Sequence, residues 1–586
     1  MHTPKNKQNS QGSKRKTPPT LVKTISKTID STLEPVELFA GLCDSSGLRD
    51  NMLLESSEIE SKENVKSILL IKSALRIICN EHQVTLEALS ANGLNALEVI
   101  ALASGRLDGV ISQRANQNQL NLSFEIDATQ LDEDSRLKRL SPIDALRITA
   151  QSLHADSDNE YAIFLCGLFA FDFIATFEAL PPVDQGDNDC PDFVFYLAET
   201  LLVIDHKRNQ KRLISNHFSG INARSTYFQL AREFEQIEQI ICNLSLTSSM
   251  QAGDCAQSIA EKTLDQVTCD LDDQAYRKLV EKLKQNIIQG DIFQVVPSRT
   301  FSLPCINPLE SYRQLKQDNP SPYLFYMQDR DFTLFGASPE SALKYTAKDN
   351  QVLLYPIAGT RVRGKLANGE VDLDLDARLE AELKLDQKEI AEHFMLVDLA
   401  RNDIARISRA GTTQVPRLLA VDRYSQVMHL VSCVQGQLRP DLDALHAYQA
   451  CMNMGTLTGA PKIRATELIR QAEGKRRGSY GGAVGYIDGQ GDMDTCIVIR
   501  SAFYKNGVAH IQAGAGVVFD SHPQSEADET RSKARAVINA VLKANRLSLD
   551  SGSVSKAALD SVSSGKYDCQ NSARQNSIQN QSGENR

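Results

Sequence analysis

The stretch that decides the fold class is residues 495–533, TCIVIRSAFYKNGVAHIQAGAGVVFDSHPQSEADETRSK. Two apolar runs, 495–504 and 508–513, are predicted strands, and the Asn506-Gly507 pair between them is a strong signal for a two-residue hairpin turn. A hairpin requires antiparallel strands, and the predicted helices are set apart from the strands along the sequence. The sequence therefore predicts an α+β fold with largely antiparallel sheets.

The same stretch also predicts a binding site. A turn of small residues, Gly514-Ala515-Gly516, is followed by Glu526 and Glu529, which are three residues apart and so share a helix face. Glycine lets backbone N–H groups approach an anion closely, whereas the two carboxylates would repel it. This combination indicates a small acidic ligand bridged to the carboxylates by a hard cation such as Mg²⁺.

Outside this stretch, apolar periodicity predicts further elements. Helices are expected near 65–79, over 274–289 and over 377–407, and strands over 293–301, 323–327, 332–336 and 483–487. The run 161–180 is interrupted by Asp172 and Glu178, so it is predicted to be buried core, because a membrane span needs about 20 largely apolar residues.

Composition divides the chain into five parts. Residues 1–29 are predicted to be a disordered basic extension and residues 547–586 a disordered tail rich in Ser, Asn and Gln. Residues 246–272 form a polar linker between an N-terminal domain, 30–245, and a C-terminal domain, 273–546, that carries the predicted site.

Bulk properties exclude several function classes. The net charge of −10 argues against general nucleic-acid binding, and the 12 cysteines show no CxxC pairs that would indicate zinc or a disulfide framework. No P-loop, dinucleotide fingerprint or G-x-S-x-G elbow occurs in the sequence. A reduced cytoplasmic protein with neither a nucleic-acid nor a membrane partner is therefore expected.

A second E-x-x-E pair, Glu389 and Glu392, lies in the predicted helix over 377–407. The two pairs could converge on one metal ion, or each could be an ordinary solvated helix face with surface ion pairs. Spacing alone leaves both interpretations open.

Four further side chains each have a functional and a structural interpretation. Arg500 follows an apolar run and could bind a ligand carboxylate bidentately or pair with an internal acid. His429 could transfer protons near neutral pH or be structural. Lys533 could bind the ligand or form an i, i+4 pair with Glu529. The glycines around Tyr480 indicate either close approach to a ligand or a turn.

Taken together and in order, the motifs of residues 270–545 resemble the chorismate-utilising enzymes, and among these the family of anthranilate synthase large subunits. They are GASPE (336–340), PIAGT (356–360), KEIAEHFMLVDLARND (388–403), DRYSQVMHLVS (422–432), MGTLTGAPK (454–462), RRGSYGGAVGY (476–486), DTCIVIRSA (494–502) and the opening turn and helix. A weaker match, LLESSEIESK (53–62), extends the resemblance into the first domain.

The resemblance implies two domains with antiparallel sheets packed together and helices on the outside. It implies Mg²⁺ as cofactor, held by Glu392 and Glu529 with support from Glu389 and Glu526. The implied catalytic residues are Glu340, which would protonate the leaving hydroxyl, His429, which would assist a later proton removal, and also Thr456 and Lys533. The implied substrate contacts are Gly359, Thr360, Tyr480, Arg500, Gly514, Ala515 and Gly516.

The implied activity is that of a Mg²⁺-dependent lyase that converts chorismate and ammonia to anthranilate and pyruvate, the first committed step of tryptophan biosynthesis. Relatives that use water carry a lysine where this chain has Gln294, and many aminodeoxychorismate synthases carry one where it has Ala358. Both differences favour anthranilate formation. An aminodeoxychorismate synthase component and a catalytically silent regulatory subunit are the alternatives.

The resemblance also implies a partner and an inhibitor. The sequence lacks a glutaminase motif, so a separate glutamine amidotransferase subunit is expected to supply ammonia, in a heterotetramer. The segments LLES and NPSPY resemble a tryptophan feedback site, whose expected residues are Glu55, Ser56, Ser321, Pro322 and Tyr323.

Overall fold

The computed structural model of the chain describes residues 20–44, 46–57, 64–125, 132–220, 222–247, 267–366, 370–423 and 427–550. Its helices are α1 (Pro35–Phe39), α2 (Ala91–Ser104), α3 (Glu133–Lys138), α4 (Asp144–Ser152), α5 (Ala223–Thr247), α6 (Asp273–Ile288), α7 (Pro308–Asp318), α8 (Leu373–Leu385), α9 (Gln387–Ile407), α10 (Ala444–Cys451), α11 (Lys462–Glu473) and α12 (Pro523–Asp550). No helix in these ranges is both long and apolar enough to cross a membrane.

The strands of the first half are β1 (Thr20–Ile29), β2 (Asn51–Ser57), β3 (Asn64–Asn80), β4 (Gln83–Ala88), β5 (Val110–Asn116), β6 (Gln119–Phe124), β7 (Leu153–Ala155), β8 (Leu165–Phe169), β9 (Phe193–Asp205) and β10 (Gln210–Phe218). Those of the second half are β11 (Thr268–Cys269), β12 (Gln294–Val295), β13 (Ser298–Pro304), β14 (Tyr323–Gln328), β15 (Thr333–Ser338), β16 (Ser341–Thr346), β17 (Gln351–Leu354), β18 (Ile357–Val362), β19 (Gln414–Arg423), β20 (Val427–Gln437), β21 (Gly459–Ala460), β22 (Ala483–Ile487), β23 (Met493–Ile497), β24 (Ser501–Lys505) and β25 (Val508–Gly514).

Most strands join one continuous antiparallel network. Successive hydrogen-bonded neighbours are β11-β13-β25-β24-β15-β14-β2-β3-β9-β8-β22-β23-β16-β17-β20. The network passes between the two halves of the chain twice, at β14–β2 and at β22–β8. These antiparallel sheets, together with the helices around them, confirm the α+β class. The sheets of the two halves are therefore hydrogen-bonded to each other.

The predicted hairpin is confirmed between β24 and β25. Lys505 pairs with Val508, and the turn residues Asn506 and Gly507 have φ values of 50° and 84°, as a primed two-residue turn requires. Behind this hairpin, α12 buries Val537 and Val541 in the same apolar cluster as Ile511 of β25. The hairpin and helix thereby fix the position of the turn at 514–516 that joins them.

The helix predicted near 65–79 is wrong, because these residues belong to β3. The segment is rich in β-branched residues and is paired with β2 and β4 on one edge and with β9 on the other. Register shifts between Leu70 and Leu75 interrupt the alternation of two residues that normally reveals a strand. The resulting spacing of apolar residues resembles that of a helix. The segment is nevertheless a strand, because it is hydrogen-bonded to other strands on both edges.

Other predicted bounds need correction as well. The helix predicted over 377–407 is two helices, since Asp386 ends α8 and caps α9 by accepting from the N–H groups of Lys388 and Glu389. The strand predicted over 495–504 is divided at Arg500, whose φ is 50°, and the one over 293–301 is divided into β12 and β13. The helix over 274–289 and the strands over 323–327, 332–336 and 483–487 lie within about two residues of α6, β14, β15 and β22.

The predicted disordered extension is wrong for residues 20–29. These residues form β1, which pairs with β10 and buries Val22 and Ile29, because a run rich in threonine, valine and isoleucine fits a sheet despite its positive charge. At the other end, α12 continues to Asp550. The rest of both predicted tails, 1–19 and 551–586, and most of the predicted linker, 248–266, lie outside the described residues.

Candidate active site

A cavity of about 150 Å³, here called the central cavity, lies where several strand ends meet. Its walls come from the β15–β16 and β23–β24 connections, from β18, β20 and α9, and from the segment joining β25 to α12. The predicted site residues that line it are Glu340, Gly359, Thr360, Glu392, His429, Thr456, Tyr480, Arg500, Gly514, Gly516, Glu529 and Lys533. The fold therefore brings most of the predicted set together at one place.

Three predicted site residues do not line this cavity. Ala515 is fully buried, and its N–H donates to the carbonyl of Pro297 at 3.2 Å. Glu389 accepts a hydrogen bond from the Arg361 guanidinium at 3.0 Å. Glu526 is buried, and burial together with the charge of Glu529 raises its pKa. Glu389 and Glu526 thus stand beside the two cavity carboxylates rather than in the cavity.

Glu340 is positioned as a proton donor by the corner between β15 and β16. Its N–H bonds to the Ser338 hydroxyl at 3.3 Å, and its carbonyl accepts from the Ile497 N–H at 3.0 Å, so the backbone on both sides is fixed. Burial raises the pKa of the Glu340 carboxyl to about 8, although Thr456 and Lys533 act in the opposite direction. A carboxyl with such a pKa is protonated at neutral pH and can protonate a leaving group.

Two carboxylates face the central cavity from different helices, Glu392 from α9 and Glu529 from α12. Burial raises the pKa of Glu392 to about 7, and the charges of Glu389 and Glu529 add to this effect. In the described part of the chain no three His, Cys, Asp or Glu side chains form a ready-made metal cage. Mg²⁺ is commonly held by only one or two carboxylates together with substrate and water, so this donor set fits it.

Gln294 fixes one of these carboxylates. Its side-chain N–H donates to Glu392 Oε1 at 2.9 Å, and both groups lie against Gly516. A Cβ on Gly516 would come within 2.8 Å of the Gln294 amide nitrogen and 3.2 Å of Glu392 Oε1. The glycine in the predicted turn is therefore required for this close approach.

Two cations complement the carboxylates. Within the described ranges Arg500 has no carboxylate at ion-pair distance, which leaves its guanidinium available to a ligand anion. Its φ of 50° is uncommon for a residue with a side chain, and such strain is concentrated at functional sites. Lys533 does form the i, i+4 pair with Glu529, at 2.6 Å, and also donates to the Gly514 carbonyl at 3.0 Å. Lys533 thus positions both the turn and a carboxylate.

His429 lies on β20 opposite Thr360 of β18. Its Nδ1 is 2.9 Å from the Thr360 hydroxyl and 3.4 Å from the Gly359 carbonyl, and Gly359 has a φ of 78°. The histidine is thus tied to the glycine turn of the PIAGT motif and borders the cavity. This geometry suits a group that acts on a proton of a bound ligand.

Sequence reasoning missed two arginines that support the site. Arg361 bridges Asp386 at 2.5 Å and Glu389 at 3.0 Å. Arg477 is fully buried, pairs with Glu473 at 2.6 Å and donates to the carbonyls of Val296 and Leu457, two residues that line the cavity. Two sequence signals could have identified them: Arg361 directly follows Thr360, and Glu473 and Arg477 are four residues apart just before Gly478.

A second cavity of about 30 Å³, here called the strand cavity, lies between β2, β14 and β23. Of the predicted inhibitor residues, Glu55, Ser56 and Tyr323 line it, and Ser321 and Pro322 do not. Strand register explains this outcome, since Tyr323 is paired with Ser56, whereas Pro322 uses its carbonyl to bond the Ser57 N–H. Lys66, Tyr486 and Asp494 also line the cavity and were missed, because they lie on β3, β22 and β23, which only the fold brings against β2 and β14 at this place.

The sequence matches the family model described as chorismate binding enzyme over residues 109–539. It is 55% identical over 533 residues to anthranilate synthase component 1 of Vibrio cholerae, covering 91% of this chain and 98% of the relative. Against anthranilate synthase component 1 of Escherichia coli the identity is 51%, covering 87% and 95%.

Among solved structures, anthranilate synthase component I from Streptococcus pneumoniae matches with a TM-score of 0.59 and 29% identity. The match covers 81% of this chain and 92% of that chain. Sequence and fold comparisons thus point to the same group of proteins.

Proposed function

Since the chain belongs to the chorismate-binding enzyme family, we propose that it acts as an anthranilate synthase component 1, which converts chorismate and ammonia to anthranilate and pyruvate. The observation that carries this proposal is the central cavity, where a protonated carboxyl, two carboxylates and an arginine with no ion pair in the described part of the chain meet. Chorismate has two carboxylates and a hydroxyl that must leave. The arginine, and a cation held by the two carboxylates, would bind the substrate carboxylates, and the protonated carboxyl would protonate the leaving hydroxyl.

Each residue has a separate role in the proposed reaction. Arg500 and the backbone N–H groups of the 514–516 turn bind substrate carboxylates, and Lys533 holds that turn and Glu529 in place. Glu340 gives its proton to the C4 hydroxyl while ammonia attacks ring C2, so that water leaves. His429 assists the proton removal that accompanies loss of pyruvate and formation of the aromatic ring.

Mg²⁺ is part of the proposal, with Glu392 and Glu529 as its ligands and Glu389 and Glu526 as supporting carboxylates. When bound, the ion would neutralise the repulsion between these carboxylates and hold a substrate carboxylate. The pKa of Glu392, which is raised first by burial and then by the charges of Glu389 and Glu529, supports this assignment, because negative charge gathered in a buried site favours the binding of a cation.

We further propose that a glutamine amidotransferase subunit supplies the ammonia in a cytoplasmic heterotetramer. The designation component 1 of the relatives supports the existence of a second component. Tryptophan, the pathway product, is proposed as an inhibitor bound by Glu55, Ser56, Ser321, Pro322 and Tyr323, three of which line the strand cavity. Support comes from the two predicted segments, which lie on paired strands around this cavity.

One assay tests the function. The purified protein is incubated with chorismate, Mg²⁺ and ammonium at mildly alkaline pH, while anthranilate fluorescence and pyruvate are followed. Both products are expected in equal amounts, and Glu529→Gln should abolish Mg²⁺-dependent turnover while the circular dichroism spectrum is preserved. An aminated product without pyruvate would instead identify an aminodeoxychorismate synthase component, and tryptophan binding without turnover a silent regulatory subunit.

A further inference from the structure

A third cavity, here called the outer cavity, has a volume of about 560 Å³, which is within the usual range for sites of small ligands. Its walls come from the loop before β2, the middle of β3 and β9, the turn after β14, the N-terminal end of α2, and α5. None of the described residues that line it also lines the central cavity or the strand cavity. The proposed reaction and the proposed inhibitor therefore leave this cavity without a role.

The irregular pairing of β3 with β9 forms one wall of the outer cavity. Lys72 pairs with Thr200, and Ser73 pairs with Ala198, so Glu199 has no partner on β3. Such a bulge redirects side chains and is common next to functional sites. Lys72, Ser73 and Glu199 all line the cavity. The bulge thus places a carboxyl group from the middle of a sheet at the cavity wall.

Glu199 is only 3% exposed, and only one of its carboxylate oxygens is hydrogen-bonded. Its Oε2 accepts from the Ser90 hydroxyl at 2.5 Å and from the Asn92 side-chain amide at 2.9 Å, whereas its Oε1 has no hydrogen bond in the described part of the chain. Burial raises the pKa of Glu199, and Lys72, whose charge acts on it, is itself paired with Glu233 at 2.7 Å. A buried carboxyl of this kind is stabilised by a ligand that brings a positive charge and N–H donors.

The N-terminal end of α2 offers the complementary groups for an anion. The Ser90 hydroxyl accepts from the Gly93 N–H at 2.9 Å, whereas the N–H groups of Ala91 and Asn92 have no hydrogen bond within the described ranges. Arg49, which also lines the cavity, is exposed and adds a positive charge. Backbone N–H groups that can bind a carboxylate therefore lie beside a carboxyl group that can bind an ammonium group.

The chemistry of these two neighbouring groups matches an α-amino acid, which carries an ammonium group and a carboxylate on the same carbon atom. The rest of the wall decides which side chain fits. None of the described residues that line the cavity is aromatic. Contact with aliphatic walls favours the burial of an aliphatic side chain. The aliphatic side chains of the wall are those of Leu48, Ile71, Leu89 and Leu230.

We propose that the outer cavity binds a free aliphatic α-amino acid, with its ammonium group at Glu199 and its carboxylate at the N-terminal end of α2. This site is distinct from the strand cavity. Asp50 precedes β2, Arg330 follows β14, and the two form an ion pair at 2.6 Å in the wall of the outer cavity. Glu55 and Tyr323, which line the strand cavity, lie towards the other ends of the same two strands.

Two glutamines of α5 provide a matched pair of variants. Gln229 is exposed and lines the outer cavity, and Gln236 is exposed on the same helix but does not line it. Gln229→Trp should therefore obstruct the cavity, and Gln236→Trp is its control. Glu199→Gln removes the carboxylate charge but keeps a carbonyl oxygen that can accept from Ser90 and Asn92.

Equilibrium dialysis of the whole protein with radiolabelled L-leucine or L-valine tests the proposal. We expect a single site per chain, filled equally with and without saturating tryptophan. As competitors of leucine, 4-methylpentanoate, which lacks the ammonium group, and 3-methylbutylamine, which lacks the carboxylate, should be at least about tenfold weaker than unlabelled leucine. Gln229→Trp and Glu199→Gln should each weaken leucine binding by at least about tenfold, whereas Gln236→Trp and Glu55→Gln should change it by less than about twofold.

Several results would overturn the proposal. Absence of binding of both amino acids up to about 10 mM would exclude this ligand class. Unchanged binding in Gln229→Trp would place the site elsewhere, and displacement by tryptophan or loss of binding in Glu55→Gln would place it at the strand cavity. Equally strong competition by either analogue would exclude one half of the site. Circular dichroism checks the fold of Glu199→Gln, and Gln229→Trp, which alters only an exposed residue, decides the location independently.

Discussion

The central cavity and the strand cavity differ in how their charged groups are balanced. In the central cavity Glu392 and Glu529 repel each other, and Arg500 has no ion pair among the described residues. In the strand cavity Glu55 is already bound by Lys316 at 2.6 Å and by the Tyr312 hydroxyl at 2.7 Å. The charges of the first cavity would be balanced by the proposed ligand and ion, whereas those of the second are balanced without them. Substitutions should therefore affect activity at the first and stability at the second.

The largest expected effect is the loss of turnover in Glu340→Gln. Without its proton donor the site retains binding and the remaining charges, so kcat should fall by a factor of about 10² to 10⁴, with the KM for chorismate little changed. Steady-state kinetics with ammonium measure this, with Glu281→Gln on exposed α6 as the matched control. Retention of more than about a tenth of kcat would contradict the acid role.

Relative to the wild-type protein, the same variant should become more stable as the pH rises. The ordinary pKa of 4.5 becomes about 8 in the folded protein, so between these values the folded state binds more protons than the unfolded state. Stability contributed by this group is thus present at low pH and lost as pH rises through about 8. Near pH 8, Glu340→Gln should be more stable by about 2 to 4 kcal/mol. Equal urea midpoints for both proteins would refute the raised pKa.

Local sequence patterns predicted the parts of the fold that local interactions determine. The β24–β25 hairpin follows from Asn506 and Gly507, which tolerate positive φ. The strand β3 was mistaken for a helix, because its pairing with β2, β4 and β9 comes from residues far away in sequence. No local pattern contains that pairing information.

For the candidate site, sequence identified the side chains but not their partners. Glu392 and Glu529 were found by spacing and by resemblance, and the structure adds that Gln294 and Lys533 hold them. Whether Lys533 would pair with Glu529 or bind a ligand could not be decided from spacing, since both uses need the same helix face. Arg361 and Arg477 were missed because a supporting residue acts through geometry that only the fold supplies.

An effect of medium size is expected in the affinity of the protein for Mg²⁺ as the pH changes. Glu392 must be ionised to ligate Mg²⁺, and its pKa is about 7 without metal. Below that value affinity should fall by up to about tenfold per pH unit, and above it affinity should level off. Isothermal titration calorimetry of the whole protein with Mg²⁺ alone from pH 5.5 to 8.5, a range of about three pH units, measures this. Glu392→Gln should show weak binding without the same dependence, and an equal slope in both proteins would exclude Glu392 as the titrating ligand.

A smaller effect is expected for Glu55→Gln in the strand cavity. The substitution removes a buried charge that Lys316 and Tyr312 satisfy, so the protein should lose about 1 to 3 kcal/mol of unfolding free energy. Turnover without inhibitor should stay within about twofold, while inhibition by tryptophan weakens. Urea denaturation and inhibition curves measure the two effects. Undiminished inhibition would remove Glu55 from the proposed inhibitor site.

The smallest expected effect is that of Tyr323→Phe, which removes the hydroxyl that donates to Asp494 Oδ1 at 3.0 Å. We expect a loss of about 1 kcal/mol in unfolding free energy, with Tyr227→Phe on exposed α5 as the control. Tyr323 is paired across β14–β15 with Ser338, whose hydroxyl bonds the Glu340 N–H at 3.3 Å. If the two cavities are energetically independent, the pH profile of kcat stays unchanged in this variant. A displaced alkaline limb would show instead that the strand cavity acts on the general acid through one pair of strand residues.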